Sequence, residues 1–217
     1  GYIKRITAAV SALSEKKIEL NCKVCQLVKL FKNGKPFKMS KRAGDFISAQ
    51  DLLSEVDKDS IRFMMLNRSN DVEIDFDFDK VKEKSKDNPV YYVQYAYARI
   101  NSLLRTLNSG FVKKIEFSEI DFNLNMMEEK IVRKVFEWPK IIESASRKFD
   151  LHKIPFYLYE LSTLFHAYWS KGNEDNRYKF IENEKIKRKE ILVIINLVAI
   201  VIKNGMTILD VSLPKKM

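Results

Sequence analysis

Asn88-Pro89-Val90-Tyr91-Tyr92-Val93-Gln94-Tyr95-Ala96-Tyr97-Ala98-Arg99-Ile100 opens a run of helix-forming residues that continues to Asn108. Proline directly after Asn88 marks a helix start, because the first turn has no use for its missing N–H. At about 100° per residue, Val90, Val93, Tyr97, Ile100, Leu104 and Leu107 fall on one apolar stripe, stepping by threes and fours. That stripe is expected to be core. Tyr92, Tyr95, Arg99 and Ser102 fall on the opposite side, and two tyrosines with an arginine are unusual on a plain solvent face. Two readings are open. The rings and the guanidinium receive unstacked bases and phosphates of a single strand, or the helix is packed on two sides and the tyrosines touch a neighbour.

Downstream, the pattern is helical to the end, with breaks expected near Asn108-Ser109-Gly110, around 121–125, at Pro155 and over 171–176. Phe165 and Trp169 stand one turn apart, and Trp169 precedes the polar break Lys171-Gly172-Asn173. An aromatic at such a place stacks on a base or closes the core. Residues 191–202 are apolar nearly all round, interrupted by Asn196; the stretch is too short to span a bilayer and reads as the central helix of a bundle. Lys185, Lys187, Arg188 and Lys189 just before it read as a solvated face.

Upstream, Ile3, Ile6, Val10 and Leu13 predict a helix over 2–13, and 18–31 reads as a strand. Asn33-Gly34 is a hairpin turn signal, after which the chain returns through Lys35-Pro36-Phe37. Ser48 with Asp51 starts a short helix, Asp59 caps another, and Val72, Ile74, Phe76 and Phe78 alternate with acidic residues in an extended segment. Asn88 is the expected domain boundary.

A chain of 217 residues with 46% hydrophobic content holds one large or two small globular units. The net charge of +10 favours a polyanionic partner. Cys22 and Cys25 form a C-x-x-C pair, but no second pair completes a metal site, and His152 and His166 are distant and unpatterned. They read as reduced thiols in a strand-like stretch, as in a cytosolic protein. The chain opens Gly1-Tyr2-Ile3 without an initiator Met and reads as a piece of a longer protein.

Lys38-Met39-Ser40-Lys41-Arg42 follows the hairpin, with Ala43-Gly44 after it. Such a loop suits phosphate handling: Lys41 is a movable point charge, Ser40 and backbone N–H groups donate hydrogen bonds, and Gly44 permits a turn. A solvated basic turn has the same composition. The string is similar to the KMSK signature of class I aminoacyl-tRNA synthetases. Asp59-Ser60-Ile61-Arg62-Phe63 looks like the segment after that loop in the arginyl and cysteinyl enzymes. Asp75-Phe76-Asp77, the block from Ser85 to Ile100, and the tail through Lys203-Asn204-Gly205-Met206 to Leu213-Pro214-Lys215-Lys216-Met217 look arginyl. Across essentially its whole length the chain resembles the C-terminal part of the arginyl-tRNA synthetases. The block from Asn88 to Ile100 is the most specific part, whereas KMSK alone identifies only the class. One departure is Tyr97, where the family has His; it falls on the apolar stripe and reads as a packing swap.

The resemblance implies a mainly α fold. A helical-bundle anticodon-binding domain of DALR type covers 88–217. The α/β tail of a class I Rossmann catalytic domain, with a β-hairpin, the KMSK loop and stem-contact helices, covers 1–87. The implied activity is that of an arginine–tRNA ligase, which activates arginine with ATP and Mg2+ and passes it to tRNA through an arginyl-adenylate. In that setting Lys41 neutralises the departing pyrophosphate, Lys38 assists, and Met39, Ser40 and Arg42 complete the ATP-binding loop. The tRNA-binding candidates are Tyr92, Tyr95, Arg99, Phe165, Trp169 and Met217. No H-x-G-H element is present, so the chain alone is expected to be inactive and to bind no cofactor tightly. The full-length protein is expected to be a cytoplasmic monomer whose partners are arginine-accepting tRNA, arginine and ATP, with no metal site and no membrane. The alternatives are a non-catalytic RNA-binding module derived from a synthetase, and a cysteinyl-tRNA synthetase fragment. The cysteinyl enzyme lacks the Asn88–Ile100 block and would need a zinc site.

Overall fold

The computed structural model of the chain describes residues 1–37, 47–107, 123–183 and 185–217. Lys38, Met39, Ser40, Lys41 and Arg42 lie outside the described residues, as do the expected break at 108–110 and residue 184.

The chain begins with helix α1 (Tyr2–Leu13), which buries none of its residues among those described. The long strand expected over 18–31 is not formed. Only Val28–Lys32 (β1) is strand, and Cys22 and Cys25 lie before it in irregular, exposed chain. The reason is partnership: a strand needs a neighbour, and β1 finds one in β3 (Ile74–Asp77), parallel to it, only from Val28 onward. Asn33 and Gly34 both take positive φ, 53° and 67°, as a tight two-residue hairpin requires, and turn β1 into β2 (Lys35–Phe37). The sheet order is β2-β1-β3.

Helix α2 (Ala49–Glu55) starts on the Ser48–Asp51 capping box. Helix α3 (Lys58–Leu66) is capped by Asp57, which accepts from the Ser60 N–H, and not by Asp59, which already lies within the first turn. A small core of Leu30, Val56, Phe76, Phe78 and Val81 holds the sheet to these helices. Phe63 leaves that core and is fully buried against the helical bundle. Burial of such a ring stabilises by roughly 1.5–3 kcal/mol, so α3 fastens the small core to the helical bundle.

Helix α4 (Pro89–Thr106) has Pro89 in its first turn, and Val90, Val93, Tyr97, Ile100 and Leu104 are buried as the stripe requires. Asn88 does not cap it by its side chain; its Nδ2 donates instead to the Val81 and Glu83 carbonyls, 2.8 Å each, folding the 3-10 turn at Lys80–Lys82 back onto the helix start. Helix α5 (Met126–Phe136) begins on an Asn125–Glu128 capping box and is followed by α6 (Trp138–Lys148), which ends on left-handed Phe149. Helix α7 (Lys153–Glu174) is not broken at Pro155, because that proline sits in its first turn, where no N–H is required. It ends at Glu174, inside the break expected over 171–176.

A two-stranded hairpin, β4 (Ile181–Glu182) and β5 (Lys185–Ile186), precedes helix α8 (Lys189–Ile208). With 20 residues and a mean hydropathy of 2.2 over its most apolar window, α8 is long and apolar enough to cross a membrane, contrary to the sequence reading of its length. It packs against α4, α5 and α7, with Ile195, Val198, Ala199, Ile202 and Met206 fully buried. Gly205 permits the closest approach: a Cβ there would stand 2.7 Å from Leu158 Cδ2. Arg188 is not merely solvated, since it pairs with the fully buried carboxylate of Glu128. Glu128 also accepts from Tyr168 Oη at 2.5 Å and from the Asn125 N–H at 2.9 Å, so the buried charge is both paired and hydrogen-bonded.

Candidate nucleic-acid interface

Helices α4 and α7 cross so that Tyr95 and Arg99, one turn apart on α4, face Trp169 on α7. The Arg99 guanidinium carbon lies 4.4 Å from the centre of the Tyr95 ring and 5.0 Å from that of Trp169. Its Nη2 donates to the Tyr95 hydroxyl at 2.6 Å. A cation held against two π faces is stabilised electrostatically while its outer N–H groups stay available.

These three side chains form one side of a cavity of about 540 Å³, completed by Ser102, Arg105 and Met217. The C-terminal tail reaches the cavity because two side chains of α4 hold it. Gln94 Nε2 donates to the Ser212 carbonyl at 3.0 Å, and Arg105 Nη1 donates to the Lys215 carbonyl at 2.9 Å. Arg62 on α3 donates to the Leu209 carbonyl, and Lys58 pairs with Asp210 at 2.9 Å. Ile181 of the β4–β5 hairpin also lines the cavity. The cavity thus combines aromatic faces, a guanidinium, further cations at Arg105 and Lys216, and an apolar tip at Met217. That composition suits an unstacked base with its phosphate.

Of the six side chains singled out as RNA contacts, Tyr95, Arg99, Trp169 and Met217 line this one cavity. Tyr92 does not. It is half-buried in the seam between α4 and α7, its ring 5.3 Å from Tyr159 and 4.4 Å from His166. Phe165 is a correction: with 0% exposure it has no free face, and it supports Trp169 and Phe180 from beneath at 6.2 Å each. The opposite side of α4 is therefore partly a second packed face and partly an open one.

His166, Arg105 and the hairpin wall were missed in the sequence. The signal for His166 was its place three residues before Trp169, which puts the two on one helix face. It is buried between Tyr92, Tyr95 and Phe165, and burial pushes its imidazole down to about 4, helped by the neighbouring Arg99 charge and opposed by its bond to the Tyr92 carbonyl. A second cavity, of about 430 Å³, lies between residues 23–26, the end of α3 and the α6–α7 corner. Its walls include Met65, Leu66, Phe149 and Leu151, with no ring pair or guanidinium clamp comparable to Tyr95, Arg99 and Trp169.

Residues 93–217 match the family model described as the DALR anticodon binding domain. The whole chain is 55% identical over 217 residues to an arginine–tRNA ligase of Pelagibacter ubique and 45% identical over 222 residues to that of Ruegeria pomeroyi. In both cases it spans 38% of the relative's length. Among solved structures, an arginyl-tRNA synthetase from Campylobacter jejuni superimposes with a TM-score of 0.84 at 28% identity, covering 100% of this chain and 45% of that one. The Thermus thermophilus arginyl-tRNA synthetase gives 0.60 at 19% identity over 89% of this chain and 35% of that one, a likeness of fold.

Proposed function

The chain belongs to the DALR anticodon-binding domain family, and from that premise we propose that it is the tRNA-reading portion, together with the KMSK loop, of an arginine–tRNA ligase. The observation that carries the reading is the convergence of Tyr95, Arg99, Trp169 and Met217 from α4, α7 and the C-terminal tail on one cavity. An anticodon base enters between the Trp169 indole and the Met217 side chain. Stacking on the indole contributes about 1–3 kcal/mol. Arg99 presents N–H groups to the base edge or its phosphate, and Arg105 and Lys216 draw in the backbone.

The catalytic half of the reading rests on the sequence motif and on the relatives. In a protein of the relatives' length, Lys41 places its charge on the pyrophosphate leaving ATP, Lys38 assists, and Met39, Ser40 and Arg42 shape the loop around the nucleotide. The partners are then arginine, ATP with Mg2+ and arginine-accepting tRNA, and the protein works as a cytosolic monomer. The present chain lacks an H-x-G-H element and forms no adenylate by itself. The test is ATP–pyrophosphate exchange with arginine and tRNA. A protein of the relatives' length that carries this chain exchanges, and Lys41→Ala lowers the rate by orders of magnitude. The present chain alone shows no exchange. Exchange by the chain alone, or an unaffected Lys41→Ala variant, overturns the reading.

A further inference from the structure

His166 is not among the residues lining the cavity, yet its imidazole touches the cation clamped between two rings. Its Nδ1 is 3.1 Å from Arg99 Nη1 and its Nε2 is 3.2 Å from the Tyr92 carbonyl oxygen. Arginine offers only donors and a carbonyl only accepts. Nδ1 therefore carries the lone pair and receives the Arg99 N–H, while Nε2–H donates to Tyr92. The backbone of α4 fixes the ring, and the ring fixes the guanidinium.

We propose that His166 is a positioning residue for nucleotide recognition, holding Arg99 against Tyr95 and Trp169 so that its remaining N–H groups face the cavity. The inference rests on the reading of that cavity as a base site. Among the described residues, His166 and Tyr95 engage two of the five N–H groups of Arg99 and leave the others for a ligand. A free arginine side chain samples many rotamers, and an arginine already anchored gives up less entropy on binding. Burial keeps the imidazole neutral near pH 7, the state in which it accepts from a guanidinium. A protonated ring at this place would repel Arg99 instead.

The two ring nitrogens can be imitated separately. The carboxamide oxygen of asparagine reaches the place of Nδ1, and the amide of glutamine reaches that of Nε2. His166→Asn keeps the acceptor for Arg99, whereas His166→Gln keeps only the bond to the Tyr92 carbonyl. The first readout uses no RNA: emission of Trp169 in the complete chain with Trp138→Phe, which leaves one indole beside Arg99. His166→Gln is expected to shift that emission as Arg99→Ala does, and His166→Asn is expected to leave it unchanged. The second readout is affinity for arginine tRNA. It should fall about tenfold in His166→Gln, with a smaller further loss on adding Arg99→Ala than Arg99→Ala causes in the parent, and stay near the parent value in His166→Asn. Equal effects of the asparagine and glutamine variants, or an unchanged emission in His166→Gln, overturn the positioning role and assign His166 to packing alone. If the parent chain fails to distinguish arginine tRNA from an anticodon-swapped one, the base-site reading falls, while the emission readout still decides the hold of His166 on Arg99.

Discussion

Arg99 on α4 and Trp169 on α7 are 70 positions apart in sequence by their numbers, and the guanidinium carbon of one lies 5.0 Å from the ring centre of the other. The pair is the junction of the cavity: one member brings charge and donors, the other a π face, and Tyr95 closes the sandwich at 4.4 Å. Because the two side chains touch, their contributions to binding are coupled. Each single change, Arg99→Ala or Trp169→Ala, should weaken tRNA binding by about 1–3 kcal/mol, and the double change should cost less than the sum. A double-mutant cycle measured by titration checks this; strict additivity would place the two residues at independent sites.

The tail is the second testable element. Arg105 pins the Lys215 carbonyl at 2.9 Å and so sets Met217, itself half-exposed, at the cavity. Removing residues 213–217 deletes little core, so the thermal midpoint should move by only about 1–2 °C, while affinity for the tRNA falls severalfold. Arg105→Ala should reproduce part of that loss. A large drop in the midpoint with unchanged affinity would make the tail a structural strap and nothing more.

The pair Glu128–Arg188 should matter to stability and not to RNA. Glu128 is fully buried and is held by Arg188, Tyr168 and the Asn125 N–H. Removing one partner leaves a buried charge uncompensated, so Arg188→Ala should destabilise by about 3–5 kcal/mol. Urea unfolding reads this directly. RNA affinity at a temperature where the variant is still folded should be unchanged apart from a small salt-dependent part.

Acid should destabilise the bundle through His166. Its folded-state value, about 4, lies below the ordinary imidazole value of 6.5. Near pH 7 the folded ring is neutral and the unfolded one about three-quarters neutral, so its contribution to the pH dependence is small there and fades as pH rises further. As pH falls from 6.5 towards 4, the unfolded chain takes up a proton that the folded chain refuses. Stability is therefore lost across that window, by about 3 kcal/mol at its lower end. The groups facing the ring are Arg99, Tyr92 and Tyr95, of which only Arg99 is charged there, and its charge acts in the same direction. His166→Asn should flatten the pH 4–6.5 part of the stability curve; an unchanged slope in that variant would mean other groups carry it.

The long helices were legible in the sequence because burial imposes a period on them. Val90, Val93, Tyr97, Ile100 and Leu104 follow the stripe to the residue, and the apolar run inside α8 marks a helix surrounded by others. The short extended pieces were not. Residues 18–27 have a strand's composition but no partner strand, and the two-residue strands β4 and β5 are too short to carry any period. The cavity was half legible for a related reason. Tyr92 and Tyr95 are equivalent by the pattern of α4 alone. Their different places are set by Tyr159 and His166 on α7, which cover Tyr92 and leave Tyr95 at the opening. Phe165 and Trp169 show the same effect: one turn apart, one is sealed under the hairpin residue Phe180 and the other stands at its edge.

The most direct measurement is binding of this chain to arginine tRNA, by fluorescence anisotropy at two salt concentrations, beside the same tRNA with a swapped anticodon. The account predicts a preference for the arginine anticodon that persists at the higher salt and disappears in Trp169→Ala. Equal binding of both tRNAs with a steep salt dependence would contradict it, because the net charge of +10 alone would then account for the association.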